Sequence, residues 1–417
     1  MKKLAKNVVA AVLGHQVRKL YKKNDFKVIG VVGSIGKTST KLAIANVLNK
    51  KFKVRYQEGN YNDLVSVPLI FFGEEMPSLF NPFAWINLFW RNQKQLNQPY
   101  KYDYVVVELG SDSPGLITEF KRYLKVEIGV LTSIVPEHMA FFKSLDAVAE
   151  EELAVGCFSS LVLANKDLSD EKYLSKLTNS LTYGIKKNAD FKLTHDGKKI
   201  SIMAGSAELL STDFETVSEA ELYTLLAASA VAQKLGMSGN EISQAIKKIE
   251  PFAGRMQRLE GINHSIIIDD SYNSSPEAVK LALNALYNTE AKQKIAVLGN
   301  MNELGEFSEE AHKKIGNLCD PKQLDLVLTI GQDANKYLAE AAEAKGCKVQ
   351  TFDNPYTIGK YLSSVVKEGG VVLVKGSQNG VFAEEAIKAI LANPKDAKKL
   401  VRQSDYWLGV KEKAFGK

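Results

Sequence analysis

Cysteine is scarce in this chain: Cys157, Cys319 and Cys347 are three in 417 residues, with no C-x-x-C pair among them. That scatter excludes a disulfide framework and a cysteine zinc module, and it fits a reducing cytoplasm. No apolar run approaches the roughly 20 residues that cross a bilayer, and no signal peptide is evident. Internal repeats and low-complexity tracts are missing as well. An excess of one charge is absent from most of the length. Residues 1–25 hold Lys2, Lys3, Lys6, Arg18, Lys19, Lys22 and Lys23 against Asp25 alone, which accounts for the whole net charge of +6. A balanced body gives no support for nucleic-acid binding. What remains, 45% hydrophobic and 24% charged residues, describes a globular protein of two or three domains with ample core.

Residues 28–40 are the most informative stretch. The apolar run Val28-Ile29-Gly30-Val31-Val32 is followed by Gly33-Ser34-Ile35-Gly36-Lys37-Thr38-Ser39-Thr40 and then by helical spacing through Leu42, Ile44, Ala45 and Leu48. Strand, loop and helix in that order make a phosphate cradle from backbone N–H groups and a helix N-terminus. Lys37 adds a mobile charge, and Thr38 is placed to reach a magnesium ion. A strict Walker loop needs glycine where Val31 stands, so the match is to the shorter G-x-x-G-K-T-[ST] form. Gly33, Ser34, Gly36, Lys37, Thr38 and Ser39 are the candidate nucleotide-binding residues, and a nucleoside triphosphate with Mg2+ is the expected ligand pair.

Beyond the loop, strand-like runs at 105–109, 128–131, 161–164, 266–268, 295–298, 326–330 and 371–374 alternate with helical patterns, which predicts parallel sheets with right-handed crossovers. Residues 185–215, around the Asp196-Gly197 turn, read as a small antiparallel excursion. Helices are expected near 218–236 and 239–249, and a domain boundary at 251–255. The fold class is therefore α/β: a phosphate-loop domain with a mostly parallel sheet over 26–253, then a Rossmann-like α/β domain over 254–417. Residues 76–100, with Phe80, Phe83, Trp85, Phe89 and Trp90, read as a loop or irregular insert, either local core or a partner-facing or lipid-facing surface. Residues 1–25 carry Leu4, Val8, Val9, Val12, Leu13, Val17 and Leu20 in a broad helical stripe. This basic amphipathic arm suits either docking on the body or peripheral contact with an anionic membrane.

Three further side chains sit at predicted strand ends or just after them, where open α/β sheets place their sites. They are Glu108, His138 and, on a helix starting near Ser144, Glu152. With Thr38 they form a plausible oxygen- and imidazole-lined magnesium site. In order along the chain stand Gly59-Asn60-Tyr61-Asn62, Val67-Pro68-Leu69, Glu108-Leu109-Gly110 with Pro114-Gly115, Glu137-His138-Met139 and Asn165-Lys166-Asp167. Gly254-Arg255, Asp269-Asp270-Ser271-Tyr272-Asn273-Ser274-Ser275-Pro276, Leu298-Gly299-Asn300-Met301-Asn302-Glu303-Leu304-Gly305, His312 and Lys375-Gly376-Ser377 follow. Over residues 26–405 this ordered set resembles the Mur ligases, the ATP-dependent amide-forming family of peptidoglycan synthesis. The Asp-Asp-Ser-Tyr-Asn and Gly-x-Met-x-Glu-Leu-Gly elements point to the branch that adds D-alanyl-D-alanine to a muramoyl tripeptide.

The resemblance implies a two-step reaction, in which a carboxylate takes the γ-phosphoryl group of ATP and an amine then displaces phosphate from the acyl phosphate. It assigns Lys37 to the β- and γ-phosphates and Thr38 to a first magnesium, with Glu108 and His138 on a second. Arg255 and Asp270 serve the nucleotide from the C-terminal domain on closure. Asn60, Asn62, Asn273, Pro276, Lys375 and Ser377 serve the muramoyl peptide and the amino-acid or dipeptide amine. Many relatives carry a carbamylated lysine about fourteen residues after the metal-binding histidine; here that position is Glu152, a carboxylate that needs no carbon dioxide. The pattern also departs from the family. The first domain that holds the UDP-sugar has only 25 residues in its place, Ser133 replaces an asparagine, Asn300 an aspartate and Gln378 an arginine. Ala220, Glu221 and Thr224 stand where adenine contacts are usual. A cytoplasmic monomer is expected. The alternatives are a folylpolyglutamate-synthase-like ligase, against which residues 269–273 argue, and a catalytically lapsed muropeptide-binding scaffold.

Overall fold

The computed structural model describes residues 2–59, 61–78, 81–216, 218–249 and 252–416, with the backbone alone over residues 2–5. Asn60, Phe80 and the side chains of Lys2, Lys3 and Leu4 therefore lie outside the described residues. The chain forms two compact units. One holds Met1–Val135, Phe141–Thr216 and Leu222–Ile249; the other holds Pro136–Ala140, Val217–Glu221 and Glu250–Lys417.

The first unit is built on a nine-stranded sheet. Its strands are β1 (Lys27–Val32), β2 (Val54–Arg55), β3 (Tyr104–Glu108), β4 (Val126–Leu131), β5 (Ser159–Asn165), β6 (Ser180–Gly184), β7 (Phe191–His195), β8 (Lys199–Ala204) and β9 (Ala207–Asp213), in the order β2-β3-β1-β4-β5-β6-β7-β8-β9. Pairing is parallel from β2 to β7 and antiparallel from β7 to β9, so the predicted excursion after residue 185 is a real meander on the sheet edge. The central strands read as largely apolar runs because helices cover both faces. Register places Glu108 beside Val31 and Leu131 beside Val32. The phosphate loop thus leaves β1 between the ends of β3 and β4.

Helices α1 (Lys2–Lys23), α2 (Lys37–Leu48), α3 (Ser66–Phe72), α4 (Pro82–Gln95), α5 (Leu116–Phe120), α6 (Leu145–Leu153), α7 (Glu219–Lys234, in this unit from Leu222) and α8 (Gly239–Ile246) pack around the sheet. The basic arm is α1. Val17 and Leu20 join the main core and Leu13 a satellite cluster with Trp85 and Leu88. Each fully buried side chain of that size contributes roughly 1.5–3 kcal/mol, enough to dock a helix of this length.

Residues 76–100 are not an irregular insert. Asn81 caps α4 by accepting a hydrogen bond from Ala84 N at 3.0 Å, and Pro82 takes the first helical position, where its missing N–H is harmless. The inward stripe of Trp85, Leu88 and Asn92 is masked in the sequence by aromatics on every face. Trp85 is core, whereas Phe83 and Trp90 stay 76% and 67% exposed. No described helix is long and apolar enough to cross a membrane.

The second unit carries six strands: β10 (Gln257–Glu260), β11 (Ile266–Asp270), β12 (Lys294–Gly299), β13 (Leu326–Ile330), β14 (Val349–Phe352) and β15 (Val371–Lys375), in the order β10-β11-β15-β12-β13-β14. All pairs are parallel except the edge pair β10–β11. α9 (Pro276–Asn288), α10 (Ser308–Leu318) and α11 (Pro355–Val365) follow three of the parallel strands, and α12 (Asp405–Phe415) closes the chain. Two apolar clusters form the core of this unit.

Candidate active site

In the first unit the site starts at Gly33, whose φ of +122° takes the chain out of β1. A Cβ there would stand 2.3 Å from Thr132 Oγ1 and 2.8 Å from Ser133 N, so only glycine fits. The end of β4 then latches the loop. Ser34 N donates to Ser133 O at 3.1 Å and Ile35 N to Ser133 Oγ at 2.9 Å. Thr132 Oγ1 donates to Ile35 O at 2.6 Å, and Val135 N to Ser34 Oγ at 3.0 Å. The Ser133 hydroxyl is therefore a loop latch. Glu152, buried on α6, accepts the Gly33 N–H at 2.6 Å. Lys37 Nζ arches back to donate to Gly33 O and, at 3.0 Å, to Ser34 O. α2 begins after Gly36 with no capping side chain, and Thr38 and Ser39 fall in its first turn. An uncapped helix start behind a glycine loop is built to receive an anion.

Glu108, at the end of β3, is 2% exposed. Its Oε2 accepts from Thr38 Oγ1 at 2.9 Å, and its Oε1 accepts from Asn62 Nδ2 at 3.3 Å. Lys41, fully buried one turn beyond Lys37 on α2, places Nζ 3.5 Å from Glu108 Oε2 and donates to Gly59 O at 3.1 Å. A buried carboxylate needs such a counter-charge. Lys41 carries no motif of its own, although its spacing from Lys37 puts both on one helix face. Hydroxyl and carboxylate oxygens side by side suit a hard cation such as Mg2+, which keeps several waters of its own. Among the described residues no group of three or more His, Cys, Asp and Glu side chains forms a ready-made metal cage.

The remaining candidates lie in the second unit. His138 belongs to its segment Pro136–Ala140 and pairs through Nδ1 with Glu303 Oε2 at 2.7 Å, while Ala140 N donates to Glu303 O at 3.3 Å. His138 and Glu303 both hold positive φ, 50° and 65°, a strained conformation that concentrates at functional sites. The His138 imidazole holds the Glu303 carboxyl below the usual carboxylate range. Asp270, ending β11, takes Lys375 Nζ on Oδ2 at 2.6 Å and Met256 N on Oδ1 at 3.2 Å. Lys375 also donates to Asn273 O at 2.9 Å, so one buried ammonium shapes the turn between β11 and α9. Pro276 is the first residue of α9. Ser377 Oγ accepts from Asn302 N at 2.9 Å, and the Arg255 guanidinium lies 4.0 Å above the Tyr272 ring.

Two neighbours support that turn: Arg402, which gave no sequence signal, and Asp269, which opens the Asp-Asp-Ser-Tyr-Asn motif. Arg402 donates to Tyr272 O, Ser271 O and both oxygens of the buried Glu384, at 2.7–2.9 Å. Asp269, fully buried, accepts from Ser271 N at 3.0 Å and Ser271 Oγ at 2.5 Å, and burial pushes its carboxyl up to about 6. Other motif residues turn out to be structural. Asn300 Oδ1 accepts from Ala334 N at 2.8 Å and so caps the helical turn that starts there. His312, whose imidazole burial shifts below its ordinary pKa, accepts from Met301 N at 3.0 Å. Asp167 is used up by the amides of residues 185–187 and the Tyr223 hydroxyl, which outweigh its burial and keep its carboxyl low.

Comparison with known proteins gives a consistent picture. The Mur ligase middle domain matches residues 31–232, and the Mur ligase glutamate ligase domain matches residues 254–378. The UDP-N-acetylmuramoyl-tripeptide–D-alanyl-D-alanine ligase of Synechocystis is 29% identical over 374 residues, covering 88% of this chain and 75% of that protein. The Bacillus subtilis protein of the same name is 27% identical over 383 residues, covering 88% and 76%. In fold, the chain is similar to the crystal structure of the MurF ligase of Thermotoga maritima in complex with ADP. The TM-score is 0.73 at 24% identity, over 94% of this chain and 84% of that one.

Proposed function

This chain belongs to the Mur ligase family, and from that premise we propose that it is an ATP-dependent ligase joining D-alanyl-D-alanine, or a similar amine, to the carboxylate of a muramoyl peptide. The observation that carries the reading is the buried Glu108 hydrogen-bonded to Thr38 at the mouth of a glycine phosphate loop. The reaction runs through an acyl phosphate in a cytoplasmic monomer. Its first step brings two anions together, so the protein's part is positioning and charge neutralisation. Lys37 leaves its loop carbonyls to hold the β- and γ-phosphates, and the α2 N-terminus supplies backbone donors. Glu152 fixes the loop through Gly33, and Lys41 keeps Glu108 in place. Mg2+ would be held by Thr38 and Glu108, with His138 and Glu152 as further candidates, and it supplies positive charge at the phosphates when bound. Arg255 and Asp270 serve the nucleotide. Asn62, Asn273, Pro276, Lys375 and Ser377 serve the two substrates, and Asn60 is proposed with them on the sequence alone.

Purified chain, ATP and magnesium, tested for phosphate release against muramoyl peptides and amines, decide the matter. Release is expected only when a carboxylate and an amine are both present. Lys37→Ala is expected to weaken nucleotide binding and turnover together. His138→Ala keeps nucleotide binding and loses turnover by about a hundredfold or more, because it acts mainly in the transition state. A chain that binds ATP but never releases phosphate with any pair is the lapsed scaffold, and one that instead extends folyl glutamates is the folate-type ligase.

A further inference from the structure

Helix α4 carries more exposed apolar surface than its place on the body explains. Phe83, Ile86 and Trp90 follow at intervals of three and four, so they share one helix face, and they stay 76%, 53% and 67% exposed. Met76, 48% exposed, sits just ahead on a loop that Trp85 Nε1 pins through Ser78 O at 3.2 Å. Apolar groups of this size gathered on one face mark an interaction surface.

The charge on α4 itself is of one sign. α4 contains Arg91 and Lys94 and no acidic residue, and Ile86, Asn87, Trp90, Arg91 and Lys94 line one open groove. Arg91 is held in it by Glu74. Alongside runs α1, fastened to α4 by Gln16 Nε2 donating to Phe89 O at 3.0 Å, Asn92 Nδ2 to Gln16 Oε1 at 2.9 Å and Lys23 Nζ to Leu96 O at 2.9 Å. α1 holds the cationic excess of the whole chain, and its Arg18, Lys19 and Lys22 are exposed.

We propose that the outer face of α4, with the basic side of α1 beside it, is a docking surface for an anionic phospholipid bilayer. Phe83, Ile86 and Trp90 enter the headgroup layer, where tryptophan is favoured, and the lysines meet lipid phosphates. The two helices divide the work. The apolar stripe of α1 is spent on the protein core through Leu13, Val17 and Leu20, so α1 contributes charge and α4 contributes the apolar wedge. A second copy of the chain is disfavoured as occupant because it would set one cationic helix against another. The proposal goes beyond the ligase reading and stands without it.

The test uses the full chain and vesicles of phosphatidylcholine with or without phosphatidylglycerol. Co-sedimentation is expected with the anionic vesicles only, falling as salt rises. The combined variant Phe83→Ser, Ile86→Ser, Trp90→Ser is expected to lose partitioning by about tenfold or more while its melting temperature holds, since all three positions are exposed. Lys19→Glu with Lys22→Glu is expected to weaken binding at low salt only. Lipids brominated on their acyl chains should quench tryptophan emission of the natural chain, which reads insertion without any substitution. Equal binding by the combined variant, failure of the natural chain to bind, or a lipid-free dimer dissolved by that variant would each overturn the proposal. None of these results depends on whether phosphate is released.

Discussion

Glu151 and Glu152 are neighbours on α6, and both direct buried carboxylates at backbone N–H groups. Glu151 accepts from Gly115 N and Ile117 N at 2.5 and 2.6 Å and so caps α5; Glu152 accepts from Gly33 N in the phosphate loop. Glu152 therefore reaches the site through the loop backbone, whatever its second oxygen does. Its loss has two separable parts. Glu152→Ala strands the buried Gly33 N–H at about 1–3 kcal/mol, and nucleotide affinity is expected to fall with the loop's order. Glu152→Gln keeps a carbonyl oxygen for Gly33 and removes only the charge, so nucleotide binding survives and turnover drops. Bicarbonate should change nothing for the natural chain, which has no lysine there to carbamylate. Titration calorimetry and phosphate release read the two effects, and a fully active Glu152→Gln enzyme would refute any role for the charge.

Elements were legible where one period dominated. The runs behind β3, β4, β5 and β11 to β13 are short, apolar and flanked by turn residues, and they sit where the sequence placed them. α4 is hidden in the sequence because Phe83, Trp85, Phe89 and Trp90 spread around the helix and mask the 3.6-residue period; only the Asn81-Pro82 start signal marks it. For α1 the sequence left docking and membrane contact open, and burial of Val17 and Leu20 shows that its apolar side belongs to the core. Leu20→Ala is therefore expected to cost about 2–4 kcal/mol, whereas the exposed Lys22→Ala stays within roughly 0.5 kcal/mol. Denaturant midpoints measure both. A negligible cost at Leu20 would mean that α1 is not docked in solution.

At the scale of the molecule, two units with core clusters of their own are expected to unfold in separable transitions. Asp269 supplies a label for the second. Its carboxyl rises from 3.8 to about 6 on folding, mainly because burial disfavours the charge. The folded state thus binds the proton more tightly. That contribution is complete below about pH 4 and is lost as pH rises through 6, roughly 3 kcal/mol in all. Asp269→Asn removes the dependence. Its amide also leaves a buried donor unpaired, but that cost is the same at every pH. The variant's stability relative to the natural chain should therefore climb between pH 4 and 7, in the second unit's transition only. A flat difference would show that Asp269 does not titrate as its burial implies.

The sequence by itself determined what depends on neighbours along the chain. The strand, glycine loop and helix of residues 28–40 follow from local backbone preference, and the confinement of net charge to residues 1–25 is a matter of counting. The ordered motifs were enough to name the family. Tertiary structure alone decided which groups meet. Gly33 and Glu152 are 119 residues apart, and Thr38 and Glu108 are 70 apart. They touch because parallel crossovers bring the ends of β1, β3 and β4 to one edge. His138, grouped with Glu108 by the sequence, belongs to a five-residue segment of the second unit, and its pairing with Glu303, 165 residues on, is visible only in the folded chain. Lys41, Ser133 and Arg402 act through buried contacts that no local pattern encodes, because burial and partner choice belong to the packed chain rather than to its order.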